Sequence, residues 1–136
     1  MSRKPIIGVI GGGSTASREG VALAEEVGFL IARADANGYI DLPIATAMST
    51  ARNLVIVRTA DAIVAVNGSY GTLSEMAHAF DLGKTVFALR TWPMDKAGVE
   101  SSLFVPVGTP REAVDRALAY AKKAMDAEKP GPGVAK

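Results

Sequence analysis

Residue types that would point directly to a function are absent or scarce in this 136-residue chain. It has no cysteine, which excludes disulfides, thiolate metal sites and cysteine nucleophiles. With a single histidine, His78, no metal site is expected. The 15 basic and 14 acidic residues give a formal net charge of +1, so we expect no nucleic-acid or membrane partner. Since no apolar run approaches the roughly 20 residues of a membrane span, we expect a soluble, cytoplasmic protein.

The chain is long enough to bury the core of one domain, and 49% of its residues are hydrophobic. We therefore predict a single domain over residues 1–127. The last segment, residues 128–136 (EKPGPGVAK), has nothing to bury and is predicted to be a disordered tail.

Short apolar strands alternate with helical periodicity along the sequence. Strands are predicted at Pro5–Ile10, Asp61–Val66, Lys84–Leu89 and, more weakly, Tyr39–Ile44 and Phe104–Val107. Helices are predicted over Ser17–Ala34, along the stripe Leu73, Met76, Ala77 and Phe80, and from the cap Thr109-Pro110 onward. The segment Leu54–Val57 favours a strand by composition, although Ser49 or Thr50 could cap a helix there. This alternation predicts an α/β fold with a mainly parallel sheet.

Two glycine loops follow predicted strands and precede predicted helices. The first comprises Gly11, Gly12, Gly13 and Ser14; it fits a dinucleotide fingerprint, but the acidic residue expected at the end of the next strand is missing. The second is NGSYGTLSE, residues 67–75. Because such loops lie at the carboxyl edge of a parallel sheet, their N–H groups could bind a phosphate. The alternative for the second loop is purely structural, with Thr72 and Glu75 forming a capping box.

The second loop also carries a family resemblance. VNGSYGTLSE resembles the P-G-G-x-G-T-x-x-E signature of the LONELY GUY family, and IGVIGGGS and MSTARN resemble segments of the related molybdenum cofactor carrier proteins. The resemblance implies a Rossmann-like sheet of about four to five strands, usually in a homodimer. It also implies that residues 49–60 form a helix rather than a strand, since parallel strands need a crossover.

The resemblance further assigns roles to individual residues. Arg52 and Glu75 would be the catalytic pair of a phosphoribohydrolase, because a carboxylate stabilises the oxocarbenium character of N-glycosidic cleavage. Residues of the second loop would bind the phosphate: Gly68, Ser69, Gly71 and Thr72. Tyr70 either stacks on a base or is an exposed turn residue.

This chain departs from the family pattern at three residues and in one missing block. Asn67 replaces the signature proline, Ser69 replaces its second glycine, and Asn53 stands where the enzymes usually have lysine. A block about the size of one βαβ unit is missing between Ala34 and Tyr39. The loss shortens the sheet and leaves an edge for a dimer partner to cover.

Three functions follow as hypotheses. The first is a binding protein for a small phosphorylated ligand, nucleotide-like or pterin-like, with the molybdenum cofactor as a possible cargo and no required cofactor of its own. The second is a phosphoribohydrolase acting on nucleoside 5′-monophosphates. The third is a non-catalytic dimeric scaffold whose glycine loops only cap helices.

Overall fold

The computed structural model describes residues 3–11, 17–34 and 52–128 of the chain. These ranges contain four strands and four α-helices, and a 3₁₀ turn (Met94–Ala97) precedes the last strand. In chain order the elements are β1 (Ile7–Gly11), α1 (Arg18–Ala34), α2 (Arg52–Thr59), β2 (Ala62–Val66), α3 (Tyr70–Asp81), β3 (Val86–Leu89), β4 (Phe104–Val107) and α4 (Pro110–Glu128). None of the described helices is long and apolar enough to cross a membrane.

The described strands form one parallel sheet in the order β1-β2-β3-β4. Gly11 at the end of β1 pairs with Val66 at the end of β2, and Val66 pairs with Leu89 of β3. The carboxyl ends of three strands therefore lie side by side. The mainly parallel α/β architecture predicted from the alternation of elements is confirmed.

Side chains of the sheet alternate between two hydrophobic cores. Val64 and Val66 of β2 pack with Val27 of α1 and Val114 of α4 on one face. Ile63 and Ala65 pack on the other face, with core residues of α2 and α3 that include Val57 and Met76. Helices thus cover both faces, and β2 is buried at all five of its positions. A strand covered on both faces reads as a continuous apolar run, which is why its prediction was accurate.

Helix α2 corrects the expectation drawn from composition. Leu54–Val57 lies inside this helix and not in a strand, so the helix implied by the family resemblance is confirmed. Lys84 supports the end of α2, where carbonyl groups have no helical partner. Its ammonium donates hydrogen bonds to the carbonyls of Val57, Arg58 and Ala60 at 2.7, 2.8 and 2.6 Å. Burial lowers the pKa of Lys84, and the nearby carboxylate of Asp61 partly offsets that effect.

Helix α4 begins at the predicted cap. Thr109 Oγ1 accepts a hydrogen bond from the Glu112 N–H at 3.1 Å, while the Glu112 carboxylate accepts one from the Gly108 N–H at 2.9 Å. The spacing predicted that the Glu112 carboxylate would accept the N–H of Thr109, but it accepts the N–H of Gly108, one residue earlier. Two of the earlier predictions, the strand at Tyr39–Ile44 and the tail beyond Glu128, lie outside the described residues.

Asp61 fastens the start of the chain to the start of β2. Its carboxylate accepts two hydrogen bonds from the Arg3 guanidinium, both at 2.7 Å, and one from the Ile6 N–H at 2.8 Å. The hydrogen bonds from Arg3 and Ile6 hold the pKa of Asp61 below its usual value, against the opposing effect of burial. A carboxyl with a lowered folded-state pKa stabilises the fold above its unfolded-state pKa and loses that contribution as the pH falls through the folded-state value.

We therefore predict that Asp61→Asn destabilises the protein by about 1 kcal/mol at neutral pH. The loss should be smaller at about pH 3, because the carboxylate contributes less to stability there. Urea denaturation of both proteins at the two pH values measures the difference. Asp95→Asn, at an exposed position in the 3₁₀ turn, is the matched control. An Asp61→Asn effect of equal size at both pH values would contradict the role assigned to the carboxylate.

Candidate ligand site at the carboxyl edge of the sheet

A crevice is expected between the ends of β1 and β2. The helix that follows β1 packs on one face of the sheet, and the helix that follows β2 packs on the other. Neighbouring strands whose following helices diverge in this way open a crevice at their carboxyl ends, where α/β proteins bind ligands. Gly11 of the first glycine loop and Asn67 of the second lie at these strand ends, as their positions in the sequence predicted.

Asn67 links the two sides of this crevice. Its backbone is left-handed (φ 52°), and its side-chain amide donates a 2.7 Å hydrogen bond to Ser17 Oγ just before α1. The same Ser17 oxygen accepts the Gly20 N–H at 3.0 Å. A Cβ on Gly20 would lie 2.6 Å from the Asn67 amide nitrogen, so this close approach requires glycine. Proline, the family residue at position 67, could neither adopt this φ nor make this bond.

Gly68 is required by the packing of its own loop. Its φ of 129° is accessible almost only to glycine, and a Cβ would lie 2.6–2.7 Å from three side-chain atoms of Thr72. Thr72 is 1% exposed and its Oγ1 accepts the Ser69 N–H at 3.4 Å. The structure therefore places the Thr72 hydroxyl beneath the loop.

Helix α3 begins three residues earlier than the capping box predicted, with its N-cap at Ser69 instead of Thr72. Ser69 is the N-cap and Thr72 stands at the third helical position, so Thr72 and Glu75 do not form the box that their spacing indicated. Glu75 lies in the second turn and is 7% exposed. The buried face of α3 follows from this phase and comprises Thr72, Glu75, Met76 and Ala79; Ala77, expected on the apolar stripe, is exposed.

The first turn of α3 presents unused donors. Within residues 3–11, 17–34 and 52–128, no group accepts a hydrogen bond from the N–H groups of Gly68, Tyr70 and Gly71. Among the described residues, a Cβ on Gly71 would approach only Ser69 Oγ, at 4.0 Å, so this part of the chain leaves space beside the glycine. Free amides at a helix N-terminus carry a partial positive charge suited to an anion.

The end of β3 closes the site on its other side. Arg90 also has a left-handed backbone (φ 52°) and forms an ion pair with Glu19 in the first turn of α1. Trp92 donates its indole N–H to the Ser69 carbonyl at 3.3 Å. Its ring stacks on Tyr70, with centroids 6.0 Å apart and planes 25° apart.

The chain matches a known family over much of this region. The sequence profile of the SLOG cluster4 family covers residues 33–114, more than half of the chain. The chain is a member of the SLOG cluster4 family. The narrower relation to LONELY GUY proteins stays a prediction.

A relative in Archaeoglobus fulgidus, an uncharacterized protein, is 39% identical over 87 residues, which are 64% of this chain. Those residues are 54% of the archaeal protein, so the chain spans about half the length of the curated relative it matches.

Solved structures agree with this SLOG member in fold. The molybdenum cofactor carrier protein of Chlamydomonas reinhardtii is 25% identical and superposes with a TM-score of 0.72, covering 86% of this chain and 99% of its own. The molybdenum cofactor binding protein of Rippkaea orientalis is 23% identical, with a TM-score of 0.71 and coverages of 85% and 96%. These matches confirm the predicted Rossmann-like fold.

The predicted site residues of this SLOG protein fall into two groups. The structure brings together Gly11, Gly68, Ser69, Tyr70, Gly71 and Thr72 at the ends of β1 and β2. Gly12, Gly13 and Ser14 lie outside the described residues, as does the segment where the family block is missing. Arg52 is the first residue of α2. Sequence reasoning missed Ser17 and the bridging role of Asn67; the Asn-Gly pair, a frequent left-handed turn, was the available signal.

Metal binding finds no support in the described part of the SLOG chain. No group of three or more histidine, aspartate or glutamate side chains is placed there to hold an ion. His78 lies on the exposed side of α3.

The loop geometry predicts opposite effects for two glycines three residues apart. Gly68→Ala should destabilise the SLOG protein by about 1–3 kcal/mol, because alanine must adopt φ 129° and displace Thr72. Gly71→Ala should leave stability unchanged or raise it slightly, because the space is open and alanine favours a helix. Chemical denaturation of both variants measures their free energies of unfolding. Equal losses of stability in the two variants would show that the loop has a different backbone conformation.

Proposed function

We propose that this SLOG protein binds a phosphorylated, pterin-like or nucleotide-like cofactor at the first turn of α3, as a carrier of the molybdenum cofactor would. The observation that carries the proposal is the fold match to the Chlamydomonas carrier protein, which extends over 99% of that chain. The open amides of Gly68, Tyr70 and Gly71 lie at the edge where this fold binds ligands. A homodimeric, cytoplasmic carrier would fit the family resemblance.

The amides suit a phosphate for electrostatic reasons. The N-terminus of a helix such as α3, with 12 residues, stabilises a negative charge by about 0.3–1 kcal/mol at an exposed position, and a hydrogen bond to a charged group adds about 1.5–3 kcal/mol. Micromolar affinity requires about 8 kcal/mol. Amide contacts to the phosphate therefore supply only part of the required free energy, and the rest of the ligand must contribute.

The proposal treats the metal as part of the cargo. Since the chain has no cysteine, it offers no thiolate to ligate molybdenum, and recognition would depend on the phosphate and the organic ring system. The N–H groups of the second loop would bind the phosphate, and the residues between the strand ends would orient the rest of the ligand. Release needs no bond cleavage in such an arrangement, which suits a carrier.

A substitution at Gly71 tests this proposal directly. Gly71→Asp places a carboxylate beside the open amides, where it repels a phosphate but interacts well with the helix dipole. Gly71→Asn has nearly the same shape without the charge. We expect Gly71→Asn to weaken binding of isolated molybdenum cofactor through its bulk, and Gly71→Asp to weaken it by about a further tenfold or more through its charge, with both variants folded.

The measurement is equilibrium titration of the purified protein with the molybdenum cofactor and, separately, with guanosine monophosphate. Thermal melts confirm the folding of each variant. Equal affinities of wild type and Gly71→Asp would show that the ligand does not bind at this loop. Failure of the wild-type protein to bind either ligand would defeat the proposed function.

A second candidate function is phosphoribohydrolysis. It is supported by Glu75, whose carboxylate lies outside the capping box and is 7% exposed one turn below the loop. A buried carboxylate near a bound ribosyl phosphate could stabilise the oxocarbenium-like transition state. Arg52, the proposed catalytic partner, starts the neighbouring helix α2.

Replacement of Glu75 distinguishes catalysis from binding alone. If the protein is a hydrolase, it releases adenine from AMP, and Glu75→Gln reduces the rate by about a hundredfold or more, since glutamine keeps the shape but not the charge. Chromatography of the released base measures the rate. Adenine release that persists unchanged in Glu75→Gln would exclude Glu75 as the catalytic carboxylate.

A further inference from the structure

Two exposed aromatic rings form a wall beside the open amides. Tyr70 is the first residue of α3 and is 82% exposed, although one side of its ring faces Trp92. Trp92 is 36% exposed and is held in place by the hydrogen bond from its indole N–H to the Ser69 carbonyl. The wall is therefore fixed to the loop that carries the amides, and the outer face of Tyr70 is open to solvent.

The surroundings of the wall favour a small ligand over another protein. Of the residues bonded or adjacent to the two aromatic residues, Ser69, Gly71 and Thr91 are polar or small, and only Pro93 and Met94 are apolar. A protein interface normally has an apolar centre that extends beyond two rings, whereas a ligand site combines a few ring faces with a few directed polar groups. The donors that accompany this wall match a phosphate, and the rings match a flat heterocycle.

We propose that Tyr70 and Trp92 determine specificity for a planar heterocycle attached to the phosphate, with the heterocycle stacked on the outer face of Tyr70. The inference rests on the proposed cofactor-binding function and adds to it the residues that select the ring: they would favour a monophosphate that carries a pterin or purine over a ring-free sugar phosphate. Trp92 is a positioning residue, since it holds the Tyr70 ring through the stacked contact and does not itself need to touch the ligand.

The size of the stacking contribution sets the expected effect. Stacking of a base on an aromatic side chain changes affinity by about five- to 150-fold. A monophosphate with a ring should therefore bind at least about fivefold more tightly than ribose 5-phosphate. The difference should disappear when the Tyr70 ring is removed and remain when only its hydroxyl is removed.

The chain provides its own probe, because Trp92 is its single tryptophan. We would titrate the full-length protein with neopterin monophosphate, guanosine monophosphate, ribose 5-phosphate and inorganic phosphate, and follow tryptophan fluorescence together with calorimetry. Wild type, Tyr70→Ala, Tyr70→Phe and Trp92→Phe are compared, and sedimentation velocity records the oligomeric state of each. Calorimetry supplies the affinities of Trp92→Phe, which has no fluorescence signal.

We expect wild type and Tyr70→Phe to prefer the two ring-bearing ligands, and Tyr70→Ala to bind these two ligands with the affinity of ribose 5-phosphate. An unchanged ring preference in Tyr70→Ala would overturn the inference while leaving phosphate binding intact. A change of oligomeric state in Tyr70→Ala, with unchanged ligand affinities, would show that the wall is an interface between copies of the chain. That result would also overturn the inference. Loss of all binding in the wild-type protein would instead count against the proposed function itself.

Discussion

The site depends on how the chain leaves the buried strand β2. All five residues of β2 are buried between helices, so the direction of the chain after Val66 is set by the core and not by the loop. The left-handed backbone at Asn67 and the positive φ at Gly68 turn the chain sharply into α3. That turn leaves the first amides of α3 at the end of the sheet, next to Gly11 and the start of α1.

The same turn couples three strand ends. Asn67 donates to Ser17 before α1, and the Asn67 N–H donates to the Leu89 carbonyl at the end of β3, at 2.9 Å. On the other side, the Arg90–Glu19 ion pair joins β3 to α1. An exposed ion pair contributes little to stability, and Trp92 itself is held by the hydrogen bond from its indole N–H to the Ser69 carbonyl. The amides and the aromatic wall are thus held by contacts from several elements, which reduces the entropy lost when a ligand binds.

Much of the fold could be predicted from local sequence, because in most elements the hydrophobic pattern agrees with the burial of the residues in the folded protein. The strand Asp61–Val66 and the helix from Thr109 were visible as an apolar run and a cap, and both form within one or two residues of the expected bounds. Leu54–Val57 was different. β-branched residues favour a strand by propensity, but burial against β1 and the need to connect parallel strands decide for a helix.

The details of the site were less predictable, because they depend on contacts between segments distant in sequence. The Thr72–Glu75 spacing fits a capping box, yet the Asn67–Gly68 turn starts the helix earlier and moves Glu75 to a buried second-turn position. Neither the Ser17–Asn67 bond, between residues 50 positions apart, nor the Trp92–Ser69 bond has any local sequence signal. The loop was located correctly at the sheet edge, but its internal geometry follows from tertiary packing.

Comparison of the glycines shows which one bears on ligand binding. A side chain at Gly20 would meet Asn67, and one at Gly68 would meet Thr72, so the packing of the fold already requires glycine at both positions. Gly71 has no such requirement, although glycine costs up to about 1 kcal/mol in a helix relative to alanine. Close approach of a ligand to the amides is a use of this position that a side chain would hinder. The proposed phosphate site is therefore centred on Gly71, between the aromatic wall and the start of α3, and not on the two glycines that the fold needs for itself.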